Sequence, residues 1–96
     1  MLTAKQRQYL RGLAHALSPV VRVGKGGVSG GVLEETKQSL AAHELIKVRI
    51  EVEDAKERKE AAERLAASTD SQVAGMIGKT AILYRERDEK PTIKLP

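Results

Sequence analysis

The chain of 96 residues contains no cysteine, no phenylalanine and no tryptophan, and it has only two tyrosines. Without cysteine, it can form neither a disulfide framework nor a cysteine-ligated zinc site. With so few aromatic residues, it cannot build the platform on which RNA-recognition sheets and oligonucleotide barrels stack bases. Its apolar runs are too short for a membrane span, and basic residues interrupt the N-terminal segment where a signal peptide would be apolar. We therefore expect one cytoplasmic domain with a thin core and no membrane partner.

The sequence offers few groups for catalysis. Its two histidines, His15 and His43, are far apart and lack the spacing of metal ligands. Its serines have no evident histidine and carboxylate partners. Val73–Thr80 is similar to the nucleotide-binding consensus G-x-x-x-x-G-K-[ST], but valine replaces the first glycine and a predicted strand follows instead of a helix. We expect no enzyme activity, metal, cofactor or small-molecule substrate; a nucleotide hydrolase is the alternative that binding of ATP or GTP would reveal.

Positive charge is concentrated in the first half of the chain. Residues 1–50 contain eight Lys or Arg and three Asp or Glu, a net charge of 8 − 3 = +5, whereas residues 51–96 contain nine and ten, a net charge of 9 − 10 = −1. The first acidic residue is Glu34. This distribution favours a polyanionic partner, with a simple surplus of solubilising charge as the alternative.

Hydrophobic periodicity and capping signals predict the order α-β-α-β-α-β-β. We expect a single α/β domain of the α+β two-layer type, in which three helices cover one face of a four-stranded mixed sheet. Residues 86–96 are expected to form a loosely ordered tail, and the sequence leaves open whether Ile93 and Leu95 attach it to the fold. The predicted elements are a helix from the Thr3 cap to about Leu17, a strand over Val20–Val23, a helix from the Ser29 cap to about His43, a strand over Leu45–Glu53, a helix from Ala55 to about Ala67, and strands over Gln72–Ile77 and Thr80–Arg85 joined at Gly78-Lys79.

Val20–Leu33 joins a β-branched run to a glycine-rich loop with one lysine, and a helix begins directly afterwards. Bare backbone N–H groups, a cationic side chain and the positive end of a helix dipole then meet at one place, which attracts phosphate. A plain tight turn is the alternative. The candidate phosphate-binding residues are Arg22, Gly24, Lys25, Gly26, Gly27, Ser29, Gly30 and Gly31, with Lys5, Arg7 and Arg11 as a flanking basic surface, and with Lys79, Arg85 and Arg87 where the strand register brings them near.

Further segments complete a pattern that covers nearly the whole chain. They are Leu2-Thr3, Leu10-Arg11 with Ala14, Leu17–Val20, Val23–Val28, His43–Val48 and Ile82–Arg85. Together they resemble the CRM domain (chloroplast RNA splicing and ribosome maturation), and the length resembles its stand-alone bacterial YhbY-type members. Family members often carry Thr-Gly before the third strand, whereas this chain has Ser68–Ser71, so any role of that turn is in doubt.

The resemblance implies a fold similar to the C-terminal domain of translation initiation factor three. It also implies RNA binding through a G-x-x-G loop, here Gly24–Gly27, and association with precursors of the large ribosomal subunit. We therefore expect a monomeric, non-enzymatic RNA-binding protein that assists ribosome assembly and relies on phosphate contacts. The alternatives are a protein–protein adaptor that uses its basic face and an RNA chaperone of the group II intron splicing type, as in plant relatives.

Overall fold

The computed structural model describes residues 1–96, which form three helices and four strands. The strands form one sheet in the order β1-β2-β4-β3, in which β1 and β2 are parallel and the other neighbours are antiparallel. The predicted fold class, element order and mixed sheet are therefore confirmed. The elements are α1 (Ala4–Ala14), β1 (Pro19–Val23), α2 (Gly30–His43), β2 (Leu45–Ile50), α3 (Ala55–Ser68), β3 (Gln72–Ile77) and β4 (Thr80–Tyr84).

All three helices begin at the predicted caps. Thr3 forms a reciprocal capping box with Gln6. Ser29 accepts a hydrogen bond from the Val32 N–H, and Asp54 accepts one from the Glu57 N–H. These side chains satisfy N–H groups that have no partner within the first helical turn. The longest helices, α2 and α3, have 14 residues each, and none of the three is long and apolar enough to cross a bilayer.

Strand β4 lies inside the sheet and is buried on both faces. Ala81 and Leu83 belong to a cluster of 11 buried residues on the side of α2 and α3. Ile82 and Tyr84 belong to a second cluster of 7 buried residues on the side of α1. Because successive side chains of a strand point to opposite faces, four consecutive apolar residues supply both clusters.

Helix α1 therefore lies on the face opposite α2 and α3, which corrects the expectation that all helices share one face. Its buried residues Leu10 and Ala14 pack in the same cluster as Ile82, Tyr84 and Leu45. The alternating pattern of β2 predicts a single buried face, but Leu45 at its start is only 5% exposed on the other face. The domain consequently has three layers, with the sheet in the middle.

Two element boundaries differ from the prediction by three residues, whereas the start of β1 and the end of β4 differ by one. Helix α1 ends at Ala14 and not at Leu17, because the four residues before Pro19 turn the chain into β1. Leu17 is consequently 37% exposed. Strand β2 ends at Ile50 although its alternation continues to Glu53, since both neighbouring strands end at this level of the sheet.

The turn that departs from the family pattern closes the C-terminus of α3. The Ser71 N–H donates to the Ala66 carbonyl at 2.8 Å, and the Asp70 N–H donates to the Ala67 carbonyl at 3.4 Å. Asp70 has a φ of +56°, so it takes the left-handed conformation that glycine usually adopts after a helix. The Thr69 hydroxyl also donates to the Leu65 carbonyl at 2.8 Å. This turn has a structural role as a helix cap.

The C-terminal tail contains no helix or strand, yet it is hydrogen-bonded to the fold through Glu44. This fully buried carboxylate accepts hydrogen bonds from the backbone N–H groups of Arg87, Thr92 and Ile93. Burial alone would raise the pKa of Glu44, but these hydrogen bonds and that from the Thr92 hydroxyl outweigh burial and lower the pKa to about 2. Ile93 and Leu95 pack against the second cluster, so they attach the tail to the fold, a point that the sequence leaves open.

Candidate nucleic-acid interface

The glycine-rich loop follows β1 at one end of the sheet. The Val23 carbonyl still accepts a ladder hydrogen bond from the Glu51 N–H, and the chain then leaves the sheet. A tight turn follows, in which the Gly27 N–H donates to the Gly24 carbonyl at 3.0 Å. Gly27 has a φ of +83°, a conformation that side-chain-bearing residues rarely adopt. The loop therefore has a defined bend directly before the Ser29 cap.

The backbone of this loop is open to solvent. A Cβ added at Gly24, Gly26, Gly27 or Gly30 would have no neighbouring atom within 4 Å. Of the eight residues from Gly24 to Gly31, only Gly27 donates its backbone N–H to a protein acceptor, which leaves seven free donors. A dense group of free N–H donors without covering side chains is what a phosphate oxygen needs for close approach.

The start of α2 adds electrostatic attraction to these donors. The first turn of α2 contains no acidic residue, so nothing offsets the positive end of its dipole. Lys25 is exposed at the tip of the turn and forms no ion pair. The loop therefore combines free donors, a free ammonium group and a helix N-terminus, as the sequence predicts.

Three of the other predicted cations, Arg22, Lys79 and Arg11, lie either on the α1 face of the sheet or at the end of the sheet where the loop begins. Arg22 is aligned with Arg49 of β2 in the parallel register. The Lys79 carbonyl accepts a hydrogen bond from the Ile50 N–H at 2.7 Å, so the β3–β4 hairpin meets the end of β2 beside the loop. The stem of Arg11 lies on Gly75 of β3, where an added Cβ would be 2.6 Å from Arg11 Cδ. Alternation places Arg22 and Arg49 on the α1 face of the sheet, and Arg11 extends from α1 onto the same face.

The remaining predicted cations lie elsewhere. Arg7 donates to the Leu2 carbonyl at 2.9 Å, and Leu2 is held by Gln72 of β3. Strand β3 is the edge opposite β1, so Arg7 and the neighbouring Lys5 are separated from the loop by the width of the sheet.

Arg85 and Arg87 follow β4 at the other end of the sheet from the loop. Arg85 Nε is 3.8 Å from an Asp70 carboxylate oxygen. Arg87 donates through its guanidinium group to the carbonyls of Ala42 and Lys90. The structure therefore places Arg22, Lys25 and Lys79 near the loop, Arg11 on the same face of the sheet but over the opposite edge strand, and the other predicted cations remote from the loop.

Lys47, Arg49 and Glu51 of the β2 region are absent from the predicted site, although Arg49 and Glu51 lie at the loop end of the sheet. Lys47 Nζ donates to the Leu17 carbonyl at 3.0 Å, and Arg49 pairs with Glu51. The hydrogen bond from Arg49 lowers the pKa of Glu51, and the charges of Arg22 and Lys79 act in the same direction. The alternation of β2 does place these polar residues on one face, but only the pairing of β1 with β2 shows that Arg22 joins them.

The chain is similar to known proteins over its whole length. It is 41% identical over 96 residues to the Bacillus subtilis protein named "Probable RNA-binding protein YqeI", with full coverage of both chains. It is 39% identical to a Haemophilus influenzae protein named "RNA-binding protein", over 99% of this chain and 95% of that protein. A solution structure of SAV1595 from Staphylococcus aureus, a protein proposed to bind RNA, superposes with a TM-score of 0.90 at 40% identity and covers both chains completely.

The model of the CRS1/YhbY (CRM) domain matches residues 2–85. The chain belongs to the CRS1/YhbY (CRM) domain family. This confirms the resemblance drawn from the separate sequence segments. In this CRM domain the G-x-x-G sequence Gly24–Gly27 is the open turn described above. The matched residues include all three helices and all four strands of the sheet.

Proposed function

We propose that this protein binds RNA through the Gly24–Gly27 loop and the N-terminus of α2, and that it acts without catalysing a reaction. The observation that carries the proposal is that seven of the eight backbone N–H groups from Gly24 to Gly31 have no protein acceptor, in a loop that also presents the Lys25 side chain. Backbone donors and a lysine recognise phosphate irrespective of base identity, so affinity comes from the RNA backbone and RNA shape. The names of the relatives support RNA as the partner.

The proposed RNA is that of the large ribosomal subunit in its precursor form, bound by a cytoplasmic monomer that assists assembly. This part of the proposal depends on the resemblance to YhbY-type members. Filter binding to labelled, transcribed Bacillus subtilis large-subunit ribosomal RNA tests it, with unlabelled large-subunit or small-subunit RNA added as competitor. We expect the unlabelled large-subunit RNA to compete better. Equal competition by the two RNAs would favour a general RNA chaperone, as in group II intron splicing.

The substitution Lys25→Glu tests the role of the loop. It reverses the charge at the tip, so we expect about a tenfold or greater loss of affinity at low salt and a salt dependence reduced by about one unit of slope. Arg64→Glu is the matched control, because Arg64 is exposed in the second half of α3, which ends at the other end of the sheet from the loop. Unchanged RNA affinity of a folded Lys25→Glu protein would contradict the proposal. Absence of RNA binding by the unmodified protein would favour an adaptor that docks on an acidic protein.

A further inference from the structure

An acidic side chain lies in the middle of the basic surface that borders the loop. Glu51 Oε1 is 2.5 Å from Arg49 Nε, and the two side chains are 28% and 42% exposed. Both residues lie on the α1 face of the sheet, in the half that α1 leaves uncovered. The carboxylate is therefore accessible from solvent while it holds the guanidinium group.

Two further cations, Arg22 and Lys79, lie near this pair. Arg22 lies beside Arg49 in the register of β1 and β2, on the same face. Lys79 is fixed next to the end of β2 by the hydrogen bond between its carbonyl and the Ile50 N–H, and its ammonium group pairs with Glu53 at 2.6 Å. The lowered pKa of Glu51, caused first by Arg49 and then by Arg22 and Lys79, agrees with this arrangement. Glu51 is thus paired with one cation, Arg49, and two more, Arg22 and Lys79, lie nearby.

We propose that Glu51 occupies the position of an RNA phosphate, and that RNA displaces its carboxylate from Arg49 on binding, beside the neighbouring Arg22. This inference rests on the proposed function. A phosphodiester oxygen accepts the same charge-assisted hydrogen bonds from a guanidinium group as a carboxylate does. The loop begins one residue after Val23, whose carbonyl is bonded to the Glu51 N–H, so a backbone bound at the loop passes directly over this position.

Glu51 therefore has two opposite effects on RNA binding. Its ion pair fixes the guanidinium group of Arg49, and its carboxylate competes with RNA for that group. Arg11, whose stem lies on Gly75, extends the same charged face toward β3. The RNA backbone would accordingly follow a path from the Gly24–Gly27 loop across Arg22 and Arg49 toward Arg11.

The substitution Glu51→Gln distinguishes competition from a structural role. The glutamine keeps the shape of the side chain but cannot hold Arg49 as an ion pair. We expect transcribed Bacillus subtilis large-subunit ribosomal RNA to bind about two- to fivefold more tightly at low salt, the effect of one exposed ion pair. The gain should disappear at high salt because screening weakens the ion pair. Glu60→Gln, on the exposed side of α3, is the matched control.

The expected gain, measured with circular dichroism unchanged and against the Glu60→Gln control, separates competition for Arg49 from a loss of structure. Unchanged or weaker binding by Glu51→Gln, with unchanged circular dichroism, would overturn the inference.

A second variant tests the arginines themselves. The double substitution Arg22→Gln with Arg49→Gln should reduce the salt slope of RNA binding by about two units. Its control is Lys59→Gln with Arg64→Gln, which removes the same charge from the exposed side of α3. If Lys25→Glu weakens binding but the double arginine variant binds like its control, the phosphate position at Glu51 is wrong and the loop proposal stands. If the unmodified protein does not bind this RNA at any salt concentration, both proposals fail.

Discussion

The carboxylate of Glu44 and the residue Thr92 are joined by two hydrogen bonds across 48 positions of sequence. Glu44 Oε1 accepts from the Thr92 N–H at 2.7 Å and from the Thr92 hydroxyl at 2.6 Å. Glu44 itself has a φ of +63° at the end of α2, a conformation that costs free energy in a residue with a side chain. The bonds to the tail offset this cost and tie the C-terminus to the junction between α2 and β2.

Replacement of Glu44 by glutamine should release the tail. The amide keeps one acceptor but places an NH₂ group against an N–H donor, and a buried donor left without an acceptor costs about 1–3 kcal/mol. We expect the free energy of unfolding in urea to fall by that amount and the amide protons of Thr92 and Ile93 to exchange faster. Glu86→Gln, at an exposed position in the same tail, should leave both measurements unchanged.

The lowered pKa of Glu44 predicts a loss of stability in acid. The folded protein holds this pKa at about 2, below its ordinary value of 4.5, so the contribution is complete above pH 4.5 and is lost as the pH falls toward 2. Urea unfolding of the wild-type protein and of the Glu44→Gln variant between pH 7 and pH 2.5 measures this. The stability difference between them should shrink below pH 4.5, and a constant difference would contradict the assignment.

The close contact between Gly75 and Arg11 predicts an energetic coupling. An alanine at Gly75 would place its Cβ 2.6 Å from Arg11 Cδ, so the arginine must leave the strand surface. We expect Gly75→Ala to destabilise the protein in the wild-type background and to cost about 0.5–1.5 kcal/mol less when Arg11 is alanine. A double-mutant cycle in urea gives this coupling, and additive effects of the two substitutions would show that the contact is absent in solution.

Asp70 predicts a stabilising substitution. Its left-handed conformation after α3 is one that glycine adopts without steric cost, and its carboxylate is 3.8 Å from Arg85 on an exposed surface, which contributes little. We expect Asp70→Gly to raise the free energy of unfolding by about 0.5–1 kcal/mol. Ser68→Gly, two residues earlier within the helix, should lower it by a similar amount. Destabilisation by Asp70→Gly would mean that the aspartate side chain is part of the cap.

Local signals in the sequence predict most of the secondary structure correctly. The caps Thr3, Ser29 and Asp54 and the hairpin at Gly78 depend on neighbouring residues alone, so they can be inferred without tertiary contacts. The position of α1 depends on burial of Leu45 and Ile82 on the second face, which follows only from the strand order.

The candidate site likewise has one part that the local sequence predicts and another that depends on tertiary contacts. The Gly24–Gly27 loop is continuous in sequence, so its composition is sufficient to propose it. The grouping of Arg22 and Lys79 near the Arg49–Glu51 pair depends on the register of β1 against β2 and on the hairpin that ends beside Ile50. The role of Glu44 likewise depends on a contact with a tail that follows it by more than forty residues.

The position of β1 at the margin of the sheet has a consequence for solubility. An uncovered outer strand offers its backbone to strands of other molecules and can seed intermolecular sheets. Pro19 lacks a donor at the first position of β1, and the charge of Arg22 repels a second copy of the same strand. The arginine proposed to contact RNA would thus also help to keep neighbouring copies of the protein from aggregating.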